Sequence, residues 1–271
     1  MTSPVRIPDR LFSGYALDLD GTVYLGENLI PGARETIQSL RQLGSRVVFL
    51  TNNPHSTDRD YADKLTRLGI PTTESDVVTS LDSLLLYLNR MHPGARILPV
   101  TEELAEQMLA DAGHRIVVDP EKADVVVVSF DRTFDYPKLT RAYSAVRAGA
   151  VIVSTNPDPY CPTPEGGLPD CAAMLAAIEA CTGASAEAVV GKPSHHMADA
   201  LLARMNVAAA DATTVGDRIL TDVAMGQDHG MTGILVLSGA TTPDQCLNSP
   251  IKPDYVLLSL ADIIPDSLRK A

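Results

Sequence analysis

Short apolar runs alternate with helix-length segments along nearly all of the 271 residues. The runs at 46–50, 234–237 and 255–258 are strand-sized and rich in Val, Leu and Ile. The segments between such runs carry apolar residues at helical spacing, and one of them opens at Pro31 and closes at Gly44, as helix punctuation predicts. Strands that alternate with helices predict a doubly wound α/β fold, in which helices cover both faces of a mainly parallel sheet.

The middle of the chain repeats this alternation with strands of its own. Its strand-sized runs cover residues 96–100, 114–119, 125–130 and 151–155. A length of 271 residues is large for one compact domain and sufficient for a domain with an insertion. We therefore predict a core domain made of residues 1–81 and 187–271, and a smaller α/β domain inserted over residues 82–186.

The charge balance restricts the partners of the chain. Lys and Arg total 22 against 34 for Asp and Glu, which gives a formal net charge of −12. Proteins bind nucleic acids largely by neutralising phosphates with Lys and Arg. We therefore predict no nucleic-acid partner. A small phosphorylated substrate stays compatible with this charge, provided that a cation lies in the site.

Hydrophobicity and cysteine usage predict a soluble, cytoplasmic protein without a membrane partner. The longest apolar runs, at 123–129 and 233–237, are strand-sized, and no long apolar stretch precedes Asp18. The cysteines form no CxxC pair, which favours free thiols in a reducing compartment. They are Cys161, Cys171, Cys181 and Cys246.

The first chemical motif is the sequence DLDGT at 18–22, directly after an apolar strand. Open α/β sheets bind ligands at the carboxyl ends of their strands. Strand alternation predicts that Asp18 and Asp20 point to the same side. Two neighbouring carboxylates suit one nucleophile or metal ligand and one general acid and base. An Asp-rich turn capped by Gly is the alternative. A calcium loop is excluded because its terminal Glu is absent.

Three further motifs follow predicted strands. Thr51 and Asn52 offer a hydroxyl and an amide to an anionic oxygen, although such a pair also caps helices. Lys192, in the sequence GKP, could neutralise a phosphate, although a single Lys is usually a solvated charge. Asp217 and Asp222 lie on either side of a strand-to-helix turn and could bind Mg²⁺ directly or through water.

Together and in this order, the four motifs resemble those of the haloacid dehalogenase superfamily of aspartate-nucleophile phosphatases. DLDGT resembles its first motif, Thr51-Asn52 its second, Lys192 its third, and Asp217 with Asp222 its fourth. Longer stretches resemble its NagD and p-nitrophenyl phosphatase-like subfamily (IIA), namely DLDGTVYLGENLIPGA, FLTNNP, STNPD, GKP, VGDRILTD and LVLSG. The resemblance covers nearly the whole chain. It implies a Rossmann-like core with an α/β cap of the C2 type between the second and third motifs.

The resemblance also implies a mechanism. Asp18 would attack phosphorus in line and become an aspartyl phosphate. Asp20 would give a proton to the leaving group and then take one from water. Mg²⁺ would be held by Asp18, the main-chain carbonyl of Asp20, Asp217 and Asp222, the last directly or through water. The implied phosphate-binding residues are Thr51, Asn52 and Lys192.

Substrate specificity is predicted to come from the inserted domain. Its segment 156–170 follows a strand, is rich in Pro and Gly, and carries the polar side chains of Asn156, Asp158 and Glu165. Loops of this kind often contact ligands. We predict that Asn156 and Asp158 contact the leaving group, and a purely structural turn is the alternative.

The predicted function is Mg²⁺-dependent hydrolysis of small phosphate monoesters, of the nucleoside monophosphate or sugar phosphate type, by a haloacid dehalogenase-like phosphomonoesterase. Phosphoglycolate, glycerol phosphate and pyridoxal phosphate are alternative substrates. A phosphomutase is an alternative enzyme, whereas a dehalogenase of the same superfamily would lack Asp20. A phospho-accepting signalling domain is a further alternative, and Asp20 disfavours it because a built-in base would discharge the acyl phosphate.

Overall fold

The structure is a computed structural model, and it describes residues 5–163, 166–265 and 267–268. It divides into two compact units. The first unit runs up to Thr51, continues over Asp58–Val78 and resumes from Ala198 onward. The second unit comprises Asn52–Thr57 and Thr79–Met197. The division into a core and an inserted domain with boundaries at 82 and 186 stays a prediction.

Strands and helices alternate as the sequence predicts. The strands are β1 (Gly14–Asp18), β2 (Tyr24–Leu25), β3 (Asn28–Leu29), β4 (Arg46–Thr51), β5 (Val77–Thr79), β6 (Arg96–Val100), β7 (Arg115–Ile116), β8 (Val125–Val128), β9 (Val151–Ser154), β10 (Tyr160–Thr163), β11 (Gly166–Pro169), β12 (Ala188–Val189), β13 (Ala212–Gly216), β14 (Thr232–Val236) and β15 (Tyr255–Leu257). The α-helices are α1 (Ala33–Gln42), α2 (Asp58–Arg67), α3 (Ser80–Met91), α4 (Glu103–Asp111), α5 (Tyr136–Arg147), α6 (Cys171–Thr182), α7 (His195–Met205), α8 (Ala224–Asp228) and α9 (Pro243–Asn248).

The first unit contains a six-stranded sheet in the order β15-β14-β13-β1-β4-β5. β1 pairs in parallel with β13 on one side and with β4 on the other. Leu17, Phe49 and Val215, one from each of these strands, are buried in one hydrophobic cluster with α1 and α2. Because the three strands run in the same direction, the residues that follow them meet at one edge of the sheet.

The second unit contains a five-stranded sheet in the order β12-β9-β8-β6-β7, and the pairings along it are parallel. β8 consists of four consecutive valines, all fully buried. Val125 and Val127 pack in a cluster with α3 and α4, whereas Val126 and Val128 pack in another with α5 and α6. A strand buried on both faces needs apolar residues at every position, which explains the continuous valine run.

The predicted loop at 156–170 contains regular structure. β10 and β11 form an antiparallel hairpin within it, in which Tyr160 pairs with Pro169. Pro and Gly interrupt the apolar pattern of these two strands, so the sequence alone does not distinguish them from a loop. Glu165, one of the polar residues singled out there, lies outside the described residues.

All the cysteines are free, with Cys171 and Cys246 buried and Cys181 exposed. Within the described part of the chain, no helix combines the length and the hydrophobicity that a membrane crossing requires.

Candidate active site

The chain turns back on itself immediately after β1. The Leu19 carbonyl accepts hydrogen bonds from the backbone N–H groups of Val23 and Tyr24, and the Gly21 N–H donates to the Tyr24 carbonyl over 2.7 Å. Gly21 has a φ of +88°, and a Cβ built on it would lie 2.5 Å from Asp217 Oδ2. The turn therefore requires glycine, both for the backbone conformation and for the close approach of the carboxylate.

Asp18 is the last residue of β1 and is 8% exposed. The hydroxyl of the buried Thr22 donates a hydrogen bond to Asp18 Oδ2 over 3.3 Å. Asp20 lies in the turn beyond the strand and is half-buried. Because β1 ends at Asp18, strand alternation does not fix the side on which Asp20 lies.

Asp217 and Asp222 are held by backbone groups at the neighbouring strand end. Asp217 directly follows β13, and the backbone N–H of Ala240 donates to its Oδ2 over 2.5 Å. Asp222 lies in a π-helical turn over Ile219–Val223, where the Arg218 N–H donates to its Oδ2 over 3.1 Å. Both carboxylates are thus oriented by fixed backbone donors.

The carboxylates of Asp18, Asp217 and Asp222 form a cluster in which the candidate ligand oxygens all lie within 4.8 Å of one another. Asp217 is 3% exposed and Asp222 is 2% exposed. Two unit charges about 4 Å apart repel by roughly 4 kcal/mol at an effective dielectric constant of about 20. Carboxylate oxygens are the ligands that Mg²⁺ prefers. The donor set, its burial and its charge therefore fit a divalent cation.

Tyr24 is a neighbour of these carboxylates that the sequence analysis did not identify. Its ring is fully buried, and its hydroxyl has no hydrogen-bond partner among the described residues. Burial, reinforced by the negative charge of Asp20 and nearby groups, raises the pKa of Tyr24 far above its ordinary value. The Lys64 ammonium lies 3.8 Å from the ring centroid. Tyr24 is therefore a neutral phenol, and no spacing in the sequence indicates this contact.

The predicted phosphate-binding residues fall in both units. Thr51 is the last residue of β4 in the first unit and is 3% exposed. Asn52 and Lys192 belong to the second unit and are joined there by two hydrogen bonds. The Lys192 N–H donates to Asn52 Oδ1 over 2.8 Å, and Asn52 Nδ2 donates to the Lys192 carbonyl over 3.2 Å.

The two predicted specificity residues join the same network. Asn52 Nδ2 also donates to Asp158 Oδ2 over 2.8 Å, and Asn156 Nδ2 donates to the Asn52 carbonyl over 3.0 Å. Asp158 is 7% exposed, and Asn156 has no exposed surface. The structure thus brings Asn52, Lys192, Asn156 and Asp158 together, and contact of the last two with a leaving group stays a prediction.

Comparison with known proteins assigns the family. Residues 15–115 match a family model described as haloacid dehalogenase-like hydrolase, and residues 189–263 match a second, HAD-hydrolase-like model. Sugar-phosphatase AraL of Bacillus subtilis is 38% identical over 252 residues, which are 93% of this chain and 92% of that protein. The chain is a haloacid dehalogenase-like hydrolase. The predicted family and enzyme class are confirmed.

Solved structures of haloacid dehalogenase-like phosphatases support the same fold. A 4-nitrophenylphosphatase from Thermotoga maritima has a TM-score of 0.87 and 35% identity, and the match covers 93% of this chain and 95% of that one. A glycerol phosphate phosphatase from Mycobacterium tuberculosis, in complex with magnesium, has a TM-score of 0.86 and 33% identity, with 98% and 79% covered. The predicted α/β fold class is confirmed.

The two matched segments of the haloacid dehalogenase-like family contain the motif residues. Asp18 and Thr51 lie in the first segment, and Lys192 and Asp217 lie in the second. The residues between the two segments, 116–188, include Asn156 and Asp158. The family therefore accounts for the carboxylate cluster, whereas those two residues must be interpreted from their contacts.

Proposed function

We propose that this hydrolase removes phosphate from small phosphate monoesters, with Mg²⁺ as cofactor and an aspartyl phosphate at Asp18 as intermediate. The observation that carries the proposal is the buried cluster of three carboxylates at the edge of a parallel sheet. Like charges at this separation need a cation between them. The similarity to a sugar phosphatase and to a magnesium-containing glycerol phosphate phosphatase supports the same chemistry.

The nucleophile and the proton carrier are assigned to the two carboxylates of the first motif. An oxygen of Asp18 attacks phosphorus, and the bond between phosphorus and the ester oxygen breaks. Asp20 gives its proton to the departing oxygen and then takes one from the water that cleaves the aspartyl phosphate. Its half-buried position gives it access to solvent for this second step.

The metal ligands and phosphate-binding residues complete the proposal. Asp18, Asp217, Asp222 and the main-chain carbonyl of Asp20 would hold Mg²⁺, which would neutralise their charge and polarise a phosphoryl oxygen. The residues proposed to bind the phosphoryl oxygens are Thr51, Lys192 and Asn52. Asn52 would do so through its backbone N–H, because its side-chain NH₂ already donates to Asp158 and to the Lys192 carbonyl. Residues 82–186 remain the proposed cap. The cap would distinguish one leaving group from another, because the phosphoryl-binding residues contact only the group that all substrates share.

The proposed substrates are sugar phosphates or nucleoside monophosphates. Glycerol phosphate is a second candidate, since the relative from Mycobacterium tuberculosis is named for it. Phosphoglycolate and pyridoxal phosphate remain alternatives within the same chemistry. All of these are compatible with a site that recognises a shared phosphoryl group.

A phosphate-release assay tests the proposal. Purified protein is incubated with 4-nitrophenyl phosphate and with a panel of sugar phosphates, nucleoside monophosphates and glycerol phosphate, in Mg²⁺ and in EDTA. We expect repeated turnover that EDTA abolishes. Undiminished turnover in EDTA contradicts the metal assignment. One phosphate retained per protein indicates a phospho-accepting domain, and an isomeric phosphate product indicates a mutase.

A further inference from the structure

We propose that Asp158 and Asn156 are positioning residues for Lys192, and that they act through the side chain and backbone of Asn52. The inference rests on the proposed function, in which Lys192 binds the phosphoryl group. It assigns to Asn156 and Asp158 a role shared by all substrates, in place of the contact with the leaving group that the sequence analysis predicts.

The side chain of Asn52 holds the backbone of Lys192 at two points. Its Oδ1 accepts the Lys192 N–H over 2.8 Å, and its Nδ2 donates to the Lys192 carbonyl over 3.2 Å. One amide that bonds both to the N–H and to the carbonyl of a residue restricts that residue in position and in rotation. Lys192 is 3% exposed, so the restriction acts in a buried place.

Asp158 fixes the orientation of this amide. An ionised carboxylate only accepts hydrogen bonds, so the group that faces Asp158 Oδ2 at 2.8 Å must be the NH₂ of Asn52. The other end, Oδ1, is then left for the Lys192 N–H. With Asp158 removed, the NH₂ loses a charged acceptor, and the side chain is free to rotate away from Lys192.

The backbone of Asn52 is held by two further side chains. Its carbonyl accepts hydrogen bonds from Asn156 Nδ2 over 3.0 Å and from Ser80 Oγ over 2.8 Å. Asn156 and Ser80 have no exposed surface, and Asn156 Nδ2 also lies 3.4 Å from Asp170 Oδ1. Two buried donors that share one carbonyl oxygen restrict the position of that carbonyl.

Close packing leaves the Lys192 segment no room to shift toward this network. A Cβ built on Gly191 would lie 2.4 Å from the Thr155 carbonyl oxygen and 2.6 Å from Asn52 Oδ1. The Val190 carbonyl accepts the hydroxyls of Ser83 and Ser194, each over 2.7 Å. The segment that carries Lys192 therefore packs closely against Asn52. Hydrogen bonds to the Val190 carbonyl hold this segment two residues before Lys192.

The two roles predict different kinetics. A positioning residue for Lys192 acts on the phosphoryl group that every substrate shares, so its loss reduces activity uniformly. A residue that contacts the leaving group changes activity unevenly from one substrate to another. A displacement of about 1 Å in a group that binds the reacting atoms can cost roughly 100-fold in rate.

The test compares Asp158→Ala with Asp158→Asn, whose side-chain oxygen still accepts from Asn52. Asp124→Ala is the matched control, because Asp124 is a carboxylate of the same unit that is paired with Arg96 instead. For each variant, kcat/KM is measured on 4-nitrophenyl phosphate, a sugar phosphate and a nucleoside monophosphate. The Mg²⁺ concentration for half-maximal activity is measured as well, and the dissociation constant of inorganic phosphate is determined by calorimetry.

We expect Asp158→Ala to lower kcat/KM by about 10- to 100-fold and to the same extent, within about threefold, on all substrates. Inorganic phosphate should bind more weakly, the Mg²⁺ requirement should not change, and Asp158→Asn should recover most of the loss. Ser80→Ala, which removes one hydroxyl, should give a smaller uniform loss and serves if Asp158→Ala does not fold.

Losses that differ strongly between substrates, or unchanged phosphate binding in Asp158→Ala, overturn the positioning role. If the wild-type protein releases phosphate from no substrate, the proposed function fails by itself. The calorimetric comparison of inorganic phosphate binding then decides the positioning role on its own.

Discussion

The two parallel sheets of this chain differ in how acidic side chains are arranged beyond their strand ends. In the first unit, Asp18, Asp217 and Asp222 bring three carboxylates within 4.8 Å of one another. Their carboxylate oxygens accept hydrogen bonds from the Thr22 hydroxyl and from the backbone N–H groups of Arg218 and Ala240. Three acidic side chains are thus grouped with one another in this unit.

In the second unit, two acidic side chains that follow strand ends each pair with a basic side chain. Glu102 follows β6 and accepts two hydrogen bonds from the Arg132 guanidinium, each over 2.7 Å. These bonds hold the pKa of Glu102 at about 2. Asp131, with no exposed surface, forms an ion pair with Lys138 and accepts two hydrogen bonds from Thr133. Glu102 and Asp131 thus each have a basic partner within the second unit.

The comparison distinguishes a group of carboxylates that could bind a ligand from ion pairs that stabilise the fold. Grouped like charges repel one another, whereas oppositely charged pairs neutralise each other and fix local structure. Both sheets have polar groups after their strands, so position in an α/β fold does not by itself identify a metal site. The grouping of three carboxylates in the first unit is the further observation that favours the proposed metal site there.

The largest effect is expected from the nucleophile. Asp18→Asn replaces the attacking oxygen by an amide and removes one negative charge from the cluster. Turnover of 4-nitrophenyl phosphate should fall by about 10⁴-fold or more, with circular dichroism unchanged. Hydrolysis within tenfold of the wild-type rate by the folded variant contradicts the assignment.

Removal of the proposed metal ligand Asp217 should chiefly weaken Mg²⁺ binding. Asp217→Ala should raise the Mg²⁺ concentration for half-maximal activity by more than about 100-fold, since even second-layer residues around a metal cost about 10- to 100-fold. High Mg²⁺ should restore part of the activity. Asp211→Ala, an exposed carboxylate of the same unit, is the control and should behave as wild type. An unchanged Mg²⁺ requirement in Asp217→Ala would remove this residue from the site.

The paired charges of the second unit should matter for stability. Lys138→Met leaves the buried Asp131 carboxylate without its ammonium partner and should lower the free energy of unfolding by about 3 kcal/mol. Lys122→Met, which breaks the exposed pair with Asp119, should cost less than about 1 kcal/mol. Urea unfolding measures both. Equal losses in the two variants would mean that burial does not distinguish the pairs.

The smallest effect concerns pH. The pKa of Glu102 is lowered from 4.5 to about 2 in the folded protein, so its stabilising effect is fully present above its ordinary pKa and is lost as the pH falls toward 2. At pH 7 the wild-type protein should therefore have a higher melting temperature than Glu102→Gln. This difference in melting temperature should become smaller as the pH falls from 4.5 to 3. A difference in melting temperature that is the same at both ends of this range contradicts the pairing.

The fold was predictable because its signals are local. The four valines of β8 and the apolar residues of β4 define strands without reference to distant residues. The hairpin formed by β10 and β11 was not predicted, since Pro and Gly interrupt its apolar pattern. The carboxylate motifs were found because strand ends converge at one edge of a parallel sheet, which places Asp18 near Asp217 without any knowledge of the loops.

The polar partners were not predictable in the same way. Asn52 and Lys192 are 140 residues apart, and Asn52 and Asp158 are 106 apart. A hydrogen bond between such residues depends on side-chain orientations that no local pattern encodes. The position of Tyr24 near Asp18 and Asp20 is likewise not encoded by a local pattern. The sequence therefore indicates which residue types gather at a strand end, and the structure adds which of them hold one another.

Trapping the phosphorylated enzyme tests the central claim most directly. Asp20→Asn should still be phosphorylated by 4-nitrophenyl phosphate, because nitrophenolate leaves without a proton, but it should hydrolyse the acyl phosphate slowly. Acid quenching followed by borohydride reduction converts an aspartyl phosphate to homoserine, which mass spectrometry locates in a peptide. We predict homoserine at position 18. An unmodified Asp18 in a protein that hydrolyses 4-nitrophenyl phosphate, or homoserine at another position, contradicts the account.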